Sequence, residues 1–330
     1  MSWSLLYALA QTSGEIKFVQ SKTTPSFFIA THAHSDIVSN YLRKYRFWEV
    51  GLSTVMLHVL ASLPKHDAVV DFGANLGWFS LLASSQGHRV LAVEAMSQNR
   101  AALKAGAFKS GISLREITPK RHHATGQSKQ PANSHDTGEQ ILLAGAALVA
   151  VPDGPPVCIK SRASNNIGNG VIIASDSTCA EEVPATTLDT LAAEAAQRWG
   201  VRHVDVSFVK ADCEGCEAAA LLGFATTLRS HRPPCALSIE YRPVQMRLVS
   251  PAHPPEQLFS LLRAAGYIFY QQHGHLVTGA GLRIVPLNGR TFEASKGRDL
   301  LFLHNSTRCF AQGGERLAQF QGLVAAGPLF

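Results

Sequence analysis

The chain has 330 residues, of which 46% are hydrophobic and 16% charged, with a formal net charge of +6. This composition excludes a wholly disordered chain and allows one sizeable core. The positive charge is mild for the length and no dense basic run occurs, so we do not expect a nucleic acid as partner. Six cysteines do not make a disulfide scaffold, and the longest apolar run, residues 141–151, is too short to span a bilayer. The default expectation is a soluble cytoplasmic protein.

A helical segment is predicted near the N-terminus. Apolar side chains recur at three- and four-residue steps over residues 36–63, which is the spacing of one helix face. Ser35 or Asp36 can cap its start, and we expect Gly51 to divide it into two helices. We therefore assign residues 1–64 to an N-terminal helical extension.

Strands and helices alternate from residue 65 onwards. Apolar runs at 68–72 and 89–95 predict strands buried on both faces. Each run is followed by a helical pattern that ends at a glycine, Gly87 or Gly111. Such alternation is typical of a parallel sheet with right-handed crossovers, and it predicts an α/β fold.

The alternation resumes after a polar insertion at about residues 112–140, which is rich in Ser, Gln, His and Pro. The elements that follow are a hairpin at 156–175, a helix from 186, a buried strand at 204–212 with its helix, a strand at 235–243, a helix at 254–266 and closing strands at 267–272 and 300–304. We infer one α/β domain over about residues 65–305 and a C-terminal tail over 306–330.

A glycine turn joins the first buried strand to its helix. Gly73 and Gly77 let the backbone approach a ligand closely, and the helix that follows points free N–H groups into the crevice. Glu94, about 20 residues further on, is placed to accept hydrogen bonds from both hydroxyls of a ribose. Asp71 would repel a pyrophosphate but would favour the amino group and sulfonium of S-adenosylmethionine. The turn therefore favours S-adenosylmethionine over a dinucleotide.

Residues 208–224 hold a C-x-x-C motif and an acidic cluster on the same turn. Cys213 and Cys216 would suit a redox pair if the thiolate were favoured, but the neighbouring carboxylates disfavour it. A zinc site needs about four ligands, and the sequence offers no second C-x-x-C. We therefore interpret both cysteines as small buried packing residues, expect no metal site, and assign the chemistry to the carboxylates.

The acidic cluster follows a central strand. Asp212 ends that strand and is expected on the same rim as the two acids of the glycine-turn site, facing a cationic methyl donor. Asp212 or Glu214 could take the proton from an attacking hydroxyl, which is worth about 10²–10⁴ in rate. Glu214 and Glu217 could instead be favourable charges in the first turn of a helix, but this leaves Asp212 and Lys210 on the strand unexplained. Asp212, Glu214 and Lys210 are therefore the catalytic candidates.

Four stretches occur together in the order of a known family: VVDFGANLGWFSLLASSQGHRVLAVEA, VPATTLDTL, VSFVKADCEGCEAAALLGF and LSIEYRP. They resemble the FkbM-type S-adenosylmethionine-dependent methyltransferases over about residues 65–245, with weaker agreement to about 305. The resemblance implies a seven-stranded, Rossmann-like methyltransferase fold and, usually, a hydroxyl oxygen of a sugar, glycan or small metabolite as acceptor. It implies cofactor contacts at Asp71, Gly73, Ala74, Asn75, Gly77 and Glu94, and it places Lys210, Asp212, Glu214 and Glu217 in the signature K-x-D-x-E-G-x-E.

The chain departs from the family pattern at the polar insertion, where only residues 113–118 suggest a weak third strand. Residues 164–170 are either a substrate-side loop or a turn within the hairpin. Three other functions stay open: a methyltransferase-like binding protein without turnover, a nucleic-acid methyltransferase, and a thiol oxidoreductase. The sequence predicts neither the acceptor molecule nor the oligomeric state.

Overall fold

One sheet of nine strands organises the residues that the computed structural model describes. Those residues are 16–34, 36–119, 138–152, 154–163, 166–173, 179, 181–273, 283–286 and 298–304. The strands are β1 (Ile16–Gln20), β2 (Phe28–His32), β3 (Ala68–Phe72), β4 (Arg89–Val93), β5 (Leu114–Ile117), β6 (Ile141–Ala144), β7 (Ala147–Leu148), β8 (Val157–Ala163), β9 (Asn166–Ile173), β10 (Glu181–Val183), β11 (Ala185–Thr186), β12 (Val206–Ala211), β13 (Ala236–Tyr241), β14 (Tyr267–His273), β15 (Arg283–Pro286) and β16 (Arg298–His304). The helices are α1 (Ile37–Tyr45), α2 (Val50–Ala61), α3 (Trp78–Ser85), α4 (Ser97–Lys109), α5 (Leu188–Arg198), α6 (Glu217–Leu222), α7 (Ala225–Leu228), α8 (Pro243–Val249) and α9 (Pro255–Ala264).

Parallel pairing runs through the middle of the sheet, whose order is β15-β14-β16-β13-β12-β3-β4-β6-β5. Neighbouring strands are parallel from β13 to β5 and antiparallel from β13 to β15. This confirms the predicted α/β class and the two closing strands. The sheet exceeds the predicted seven strands because β5 and β15 add one strand at each edge.

The strand β3 marks the point at which the winding of the sheet reverses. Its neighbour on one side is β4, the next strand in the chain, and its neighbour on the other side is β12. A crevice opens outside the carboxyl ends of parallel strands at such a reversal, and ligands bind there. The glycine turn and the acidic cluster follow β3 and β12, so the topology brings both to this crevice.

The N-terminal region is only partly helical, which corrects the predicted helical extension. The strands β1 and β2 form an antiparallel hairpin before the first helix. The hairpin packs on α4, where the N–H of Phe28 donates to Ser110 Oγ at 2.8 Å. Asp36 then caps α1 by accepting a hydrogen bond from the N–H of Ser39 at 2.8 Å, as the sequence predicts.

The break between α1 and α2 does not lie at Gly51, which falls inside α2. It lies at residues 46–49, because Arg46 and Glu49 both have left-handed backbone, with φ of 61° and 40°. Left-handed residues other than glycine are uncommon, and the apolar spacing of the sequence carries no signal for them. The chain therefore turns two residues earlier than expected.

The two faces of the sheet bury separate cores. One core contains Val69 and Phe208 under the hairpin and α2–α4, and the other contains Val70 and Phe72 under α5–α9. Successive side chains of a strand point to opposite faces. Asp71 of β3 and Lys210 of β12 therefore lie on the face that α3 covers. Of the helices that the structure describes, none is both long and apolar enough to cross a membrane.

A small outer sheet stands beside the central one. The predicted hairpin is confirmed as antiparallel β8 and β9, and β10 pairs with β8 on its other side. A disulfide bond between Cys158 and Cys179 ties β8 to the segment before β10. The weak strand expected in the polar insertion is present as β5, whereas most of the insertion, residues 120–137, lies outside the described residues.

Candidate active site

A cavity with about 980 Å³ of open space, counted out to its solvent-facing mouth, lies at the carboxyl ends of the parallel strands. One half is lined by the glycine turn and the residues that follow β4 and β6. The other half is lined by the loop after β12, the end of β13 and the turn between α1 and α2, while the outer sheet packs against Met96 and Ala147 of the first half.

The glycine turn is fastened to the end of β4. The N–H groups of Gly73 and Ala74 both donate to the carbonyl of Val93, at 2.9 and 3.0 Å. Gly73, Asn75 and Gly77 all have left-handed backbone, with φ of 70°, 52° and 89°. Gly73 and Asn75 line the cavity. Ala74 is buried, and a side chain at Gly77 would meet Leu103 of α4 at 2.1 Å, so Gly77 serves close helix packing.

Glu94 holds the turn from the other side. Its carboxylate accepts hydrogen bonds from the N–H groups of Asn75 and Met96, at 2.8 and 2.9 Å, and from Asn99 Nδ2 at 3.4 Å. Burial raises the pKa of Glu94, and these hydrogen bonds oppose the rise. A carboxylate has about four acceptor positions, so roughly one remains for a ligand that enters the cavity.

Apolar residues form a wall next to Glu94. Val93 ends β4, Ala95 and Met96 follow it, and residues 146–148 follow β6. Such a wall suits a flat heterocycle. The sequence analysis did not identify residues 146–148 as part of the site. They could have been found because they follow β6, a parallel strand that pairs with β4 and ends at the same edge of the sheet.

A buried lysine connects the glycine turn with the acidic loop. Lys210 and Asp71 lie opposite each other in the register of β12 and β3. Lys210 Nζ donates to the carbonyl of Gly73 at 2.7 Å and lies 3.3 Å from Asp212 Oδ2 and 3.8 Å from Asp71 Oδ1. Asp71 also accepts a hydrogen bond from Ser80 Oγ of α3, at 2.6 Å. The lysine thus fixes the turn to both strands.

The charges of this cluster support one another. Burial alone would lower the pKa of Lys210, but the carboxylates of Asp212 and Asp71 outweigh it and raise that pKa. Burial raises the pKa of Asp71, and the Lys210 cation opposes the rise. The side chains of Lys210 and Asp71 are buried, and neither residue belongs to the described cavity lining. The predicted rim is therefore split: Glu94 and Asp212 face the cavity, and Asp71 lies beneath the turn.

The loop after β12 carries a disulfide bond between Cys213 and Cys216, which the sequence analysis did not predict, although Cys216 is buried in the core and Cys213 packs against it as expected. The two cysteines lie three residues apart on a tight turn. Nearby carboxylates disfavour a free thiolate, but a disulfide-bonded cysteine has no thiolate to disfavour. Glu214 and Gly215 both have left-handed backbone, with φ of 58° and 110°. Both cysteines and Glu214 line the cavity.

Glu217 anchors this loop from below. Its Oε1 accepts hydrogen bonds from the N–H groups of Cys213 and Gly215, at 2.9 and 3.2 Å. The side chain is fully buried, and burial raises the pKa of Glu217 to about 7 despite these hydrogen bonds. Glu217 therefore shapes the loop and is not among the described cavity-lining residues. A buried, hydrogen-bonded carboxylate in this position is neither an exposed charge at a helix N-terminus nor a group that would contact a substrate.

The acidic half of the cavity contains carboxylates that the sequence did not reveal. Glu240 comes from β13 and pairs with Arg242 at 2.8 Å, while burial and the nearby Asp212 raise its pKa. Oxygens of Asp212, Glu214 and Glu240 lie within 4.8 Å of one another. Acidic groups at this spacing could share a cation but are common without one, and nothing else described at the site points to a metal. Glu49 adds a further carboxylate from the turn before α2.

Comparisons with known proteins place the chain in a family. A search of the curated proteins finds no match. The chain is similar to a solved structure of an S-adenosylmethionine-dependent methyltransferase from Mesorhizobium loti, with 13% identity, a TM-score of 0.29, and coverage of 74% of this chain and 94% of that chain. At that TM-score the similarity supports no conclusion about this chain. The family model of the methyltransferase FkbM domain matches residues 71–269. Because this match spans more than half of the chain and both predicted signatures, the protein belongs to the FkbM methyltransferase family.

Proposed function

We propose that the protein transfers the methyl group of S-adenosylmethionine to a hydroxyl oxygen of a sugar, glycan or small metabolite. The observation that carries the proposal is the single cavity that the glycine turn and the acidic loop share. A methyl donor at one end and a hydroxyl at the other would be held next to each other. Holding two reactants in line is worth about 7–11 kcal/mol of the barrier.

The cofactor half fits S-adenosylmethionine by the chemistry of its groups. Glu94 has acceptor capacity left for a ribose hydroxyl, and the apolar wall after β4 and β6 suits an adenine ring. Asp212 lies at the boundary of the two halves, where its negative charge would favour a sulfonium. When bound, S-adenosylmethionine supplies an electrophilic methyl group. The Gly73 and Asn75 backbone would lie against it.

The acceptor half offers oxygen groups that bind hydroxyls. Asp212 is ion-paired with Lys210, and Glu214 accepts a hydrogen bond from Gln245 Nε2 at 2.7 Å. Their remaining lone pairs can accept hydrogen bonds from a polyhydroxyl acceptor. Asp212 and Glu214 remain our candidates for contact with the acceptor. We assign Lys210 a positioning role, because it is buried, contacts the Gly73 carbonyl, Asp71 and Asp212, and is not among the described cavity-lining residues.

Titration of S-adenosylmethionine against the wild-type protein and Glu94→Ala tests the cofactor half. We expect the Kd to rise about 10- to 100-fold, because the variant loses one charge-assisted hydrogen bond to the cofactor. Glu94→Gln keeps the shape of the side chain and serves if Glu94→Ala does not fold. Glu256→Ala, an exposed carboxylate paired with Arg247, is the control and should bind as wild type. Unchanged binding in both Glu94 variants would refute the site.

Mass spectrometry on hydroxyl compounds incubated with enzyme and cofactor tests the transfer itself. We expect one acceptor class to gain a single methyl group. Binding of S-adenosylmethionine without any methylated product, across sugars, glycans and small alcohols, would favour the binding protein without turnover.

A further inference from the structure

The carboxylates of the cavity differ in whether the protein already engages them. Asp212 pairs with Lys210, Glu240 pairs with Arg242, and Glu214 accepts a hydrogen bond from Gln245. Glu94 accepts hydrogen bonds from the glycine turn. The carboxylate of Glu49 makes no hydrogen bond or ion pair with any residue that the structure describes. It is exposed to the cavity that it lines.

The backbone of Glu49 is held in an unfavourable conformation. Its φ of 40° and ψ of 64° lie in the left-handed region, which residues with a side chain adopt rarely. Such strain persists only where the surrounding structure fixes it, and it concentrates at functional sites. An unengaged carboxylate on a strained turn thus faces the acidic half of the cavity.

Hydrogen bonds tie this turn to the cofactor half. The N–H of Ser53 donates to the carbonyl of Glu49 at 2.9 Å, and Ser53 Oγ donates to the carbonyl of Trp48 at 2.8 Å. Trp78 Nε1, in the first turn of the helix after the glycine turn, donates to Ser53 Oγ at 2.9 Å. The position of Glu49 is therefore fixed relative to the element that follows Gly73–Gly77.

We propose that Glu49 is a catalytic residue that accepts the proton of the acceptor hydroxyl. This inference rests on the proposed function and adds to it a residue outside the matched family region, 71–269. As the acceptor oxygen forms its bond to the methyl carbon, its proton passes to the Glu49 carboxylate. The bond between methyl carbon and sulfur breaks, its electron pair stays on sulfur, and S-adenosylhomocysteine leaves.

The charges that face Glu49 suit this role. The protein around the cavity removes bulk water and raises the pKa of Glu49; Asp212 and Asp299 add to the rise, and Lys210 and Arg242 oppose it. Tyr41 of α1 also interacts with it. Because Glu49 is exposed and lines the open cavity, solvent screening limits this rise. A base whose pKa is raised towards neutrality takes a proton more readily at physiological pH.

The first test compares stability in Glu49→Gly and Arg46→Gly. Glycine adopts left-handed backbone at no steric cost, so Glu49→Gly should unfold at a higher temperature than wild type. Arg46→Gly relieves the same strain but loses the hydrogen bond from Arg46 Nε to the carbonyl of Gln20, so its gain should be smaller. Arg46 has φ of 61° in the same turn but does not belong to the described cavity lining, so Arg46→Gly should keep full activity. A lower unfolding temperature for Glu49→Gly would mean that Glu49 serves the fold, and would overturn the proposal.

The second test measures release of S-adenosylhomocysteine with glycerol, D-glucose and methyl glycosides as hydroxyl probes. Glu49→Gln should lower kcat about 100-fold or more, leave the Kd for S-adenosylmethionine within about 3-fold, and abolish the rise of kcat with pH that deprotonation of Glu49 produces. An unchanged kcat and pH profile would overturn the proposal while leaving the proposed function intact. Wild-type protein that binds cofactor but releases no product with any probe would overturn both.

Discussion

The two halves of the cavity are built in different ways. The cofactor half comes mainly from one stretch of chain, β3 to the start of α4, in which the backbone of the glycine turn donates to Val93 and to the Glu94 carboxylate; residues 146–148 after β6 complete it. The acceptor half comes from three separate segments: the turn before α2, the loop after β12 and the end of β13. Local sequence therefore fixes one half, and tertiary packing assembles the other.

This difference has a consequence for how each half tolerates change. A segment that satisfies its own polar groups keeps its shape when its surroundings vary. A surface assembled from distant segments changes shape whenever one of them moves. The acceptor half should therefore vary more readily among related chains than the cofactor half.

Gly73 is the point at which the two halves touch, and Gly73→Ala should have the largest effect. A Cβ at this position would lie 1.5 Å from the carbonyl oxygen of Asp212. Because that oxygen belongs to the backbone, it cannot move aside as a flexible side chain could. This clash and the strain of a left-handed alanine should together lower the free energy of unfolding by roughly 3–5 kcal/mol. The Kd for S-adenosylmethionine should also rise at least about 100-fold, as measured by calorimetric titration.

Gly111→Ala is the matched control for this substitution. Gly111 has the same φ of 70°, but an added Cβ would meet no described atom within 4 Å. We expect it to cost only the strain, about 1–2 kcal/mol, with unchanged cofactor binding. Equal losses in the two variants would show that the contact between the halves contributes nothing beyond backbone strain.

Glu217 shapes the acceptor half without facing the cavity, and its two variants should separate its hydrogen bonds from its charge. Glu217→Ala leaves the N–H groups of Cys213 and Gly215 without their acceptor, at a cost of roughly 2–4 kcal/mol. Glu217→Gln keeps an acceptor oxygen for both groups and removes the buried charge. It should match or exceed the wild type in stability at pH 8.

The pH dependence of unfolding by denaturant distinguishes these terms. The pKa of Glu217 is raised from 4.5 to about 7, so the folded protein holds this proton more tightly than the unfolded chain does. The stability it contributes is complete below about pH 4.5 and is lost as pH rises through 7, by up to roughly 3 kcal/mol. Glu217→Gln should lack this part of the slope. An identical slope in wild type and Glu217→Gln would contradict the assignment.

The sequence predicts most of the fold and the cofactor half for one physical reason: both follow local rules. Buried apolar runs, helix-ending glycines and their alternation are sufficient for the parallel sheet. Gly73, Asn75, Glu94 and Asp212 follow strands that the sequence identifies, and the cavity brings these four together. The edge strand β5 was expected only as a weak strand, and β15 was missed because it is short and carries no comparable pattern.

The acceptor half is less predictable because its residues are far apart in the chain. Nothing in the local sequence distinguishes Glu49 from any other surface glutamate, since its position depends on the left-handed turn and the contact through Ser53 and Trp78. The disulfide of the loop was also missed. Its cysteines occupy the two variable positions between Asp212 and Glu217 of the K-x-D-x-E-G-x-E signature, and their pairing depends on the turn that Glu214 and Gly215 make.

Loss of that disulfide should have a small effect on stability, because the bond closes a short loop. The double variant Cys213→Ser, Cys216→Ser opens a bridge between residues three apart, whereas Cys158→Ser, Cys179→Ser opens one between residues 21 apart. Loop-closure entropy then predicts losses of about 2 and about 3 kcal/mol in the free energy of unfolding. Glu217 and Gln245 still hold the short loop after its bridge is removed. Denaturant unfolding of both double variants checks the order, and a larger loss for the short bridge would show that it constrains the folded loop and not only the unfolded chain.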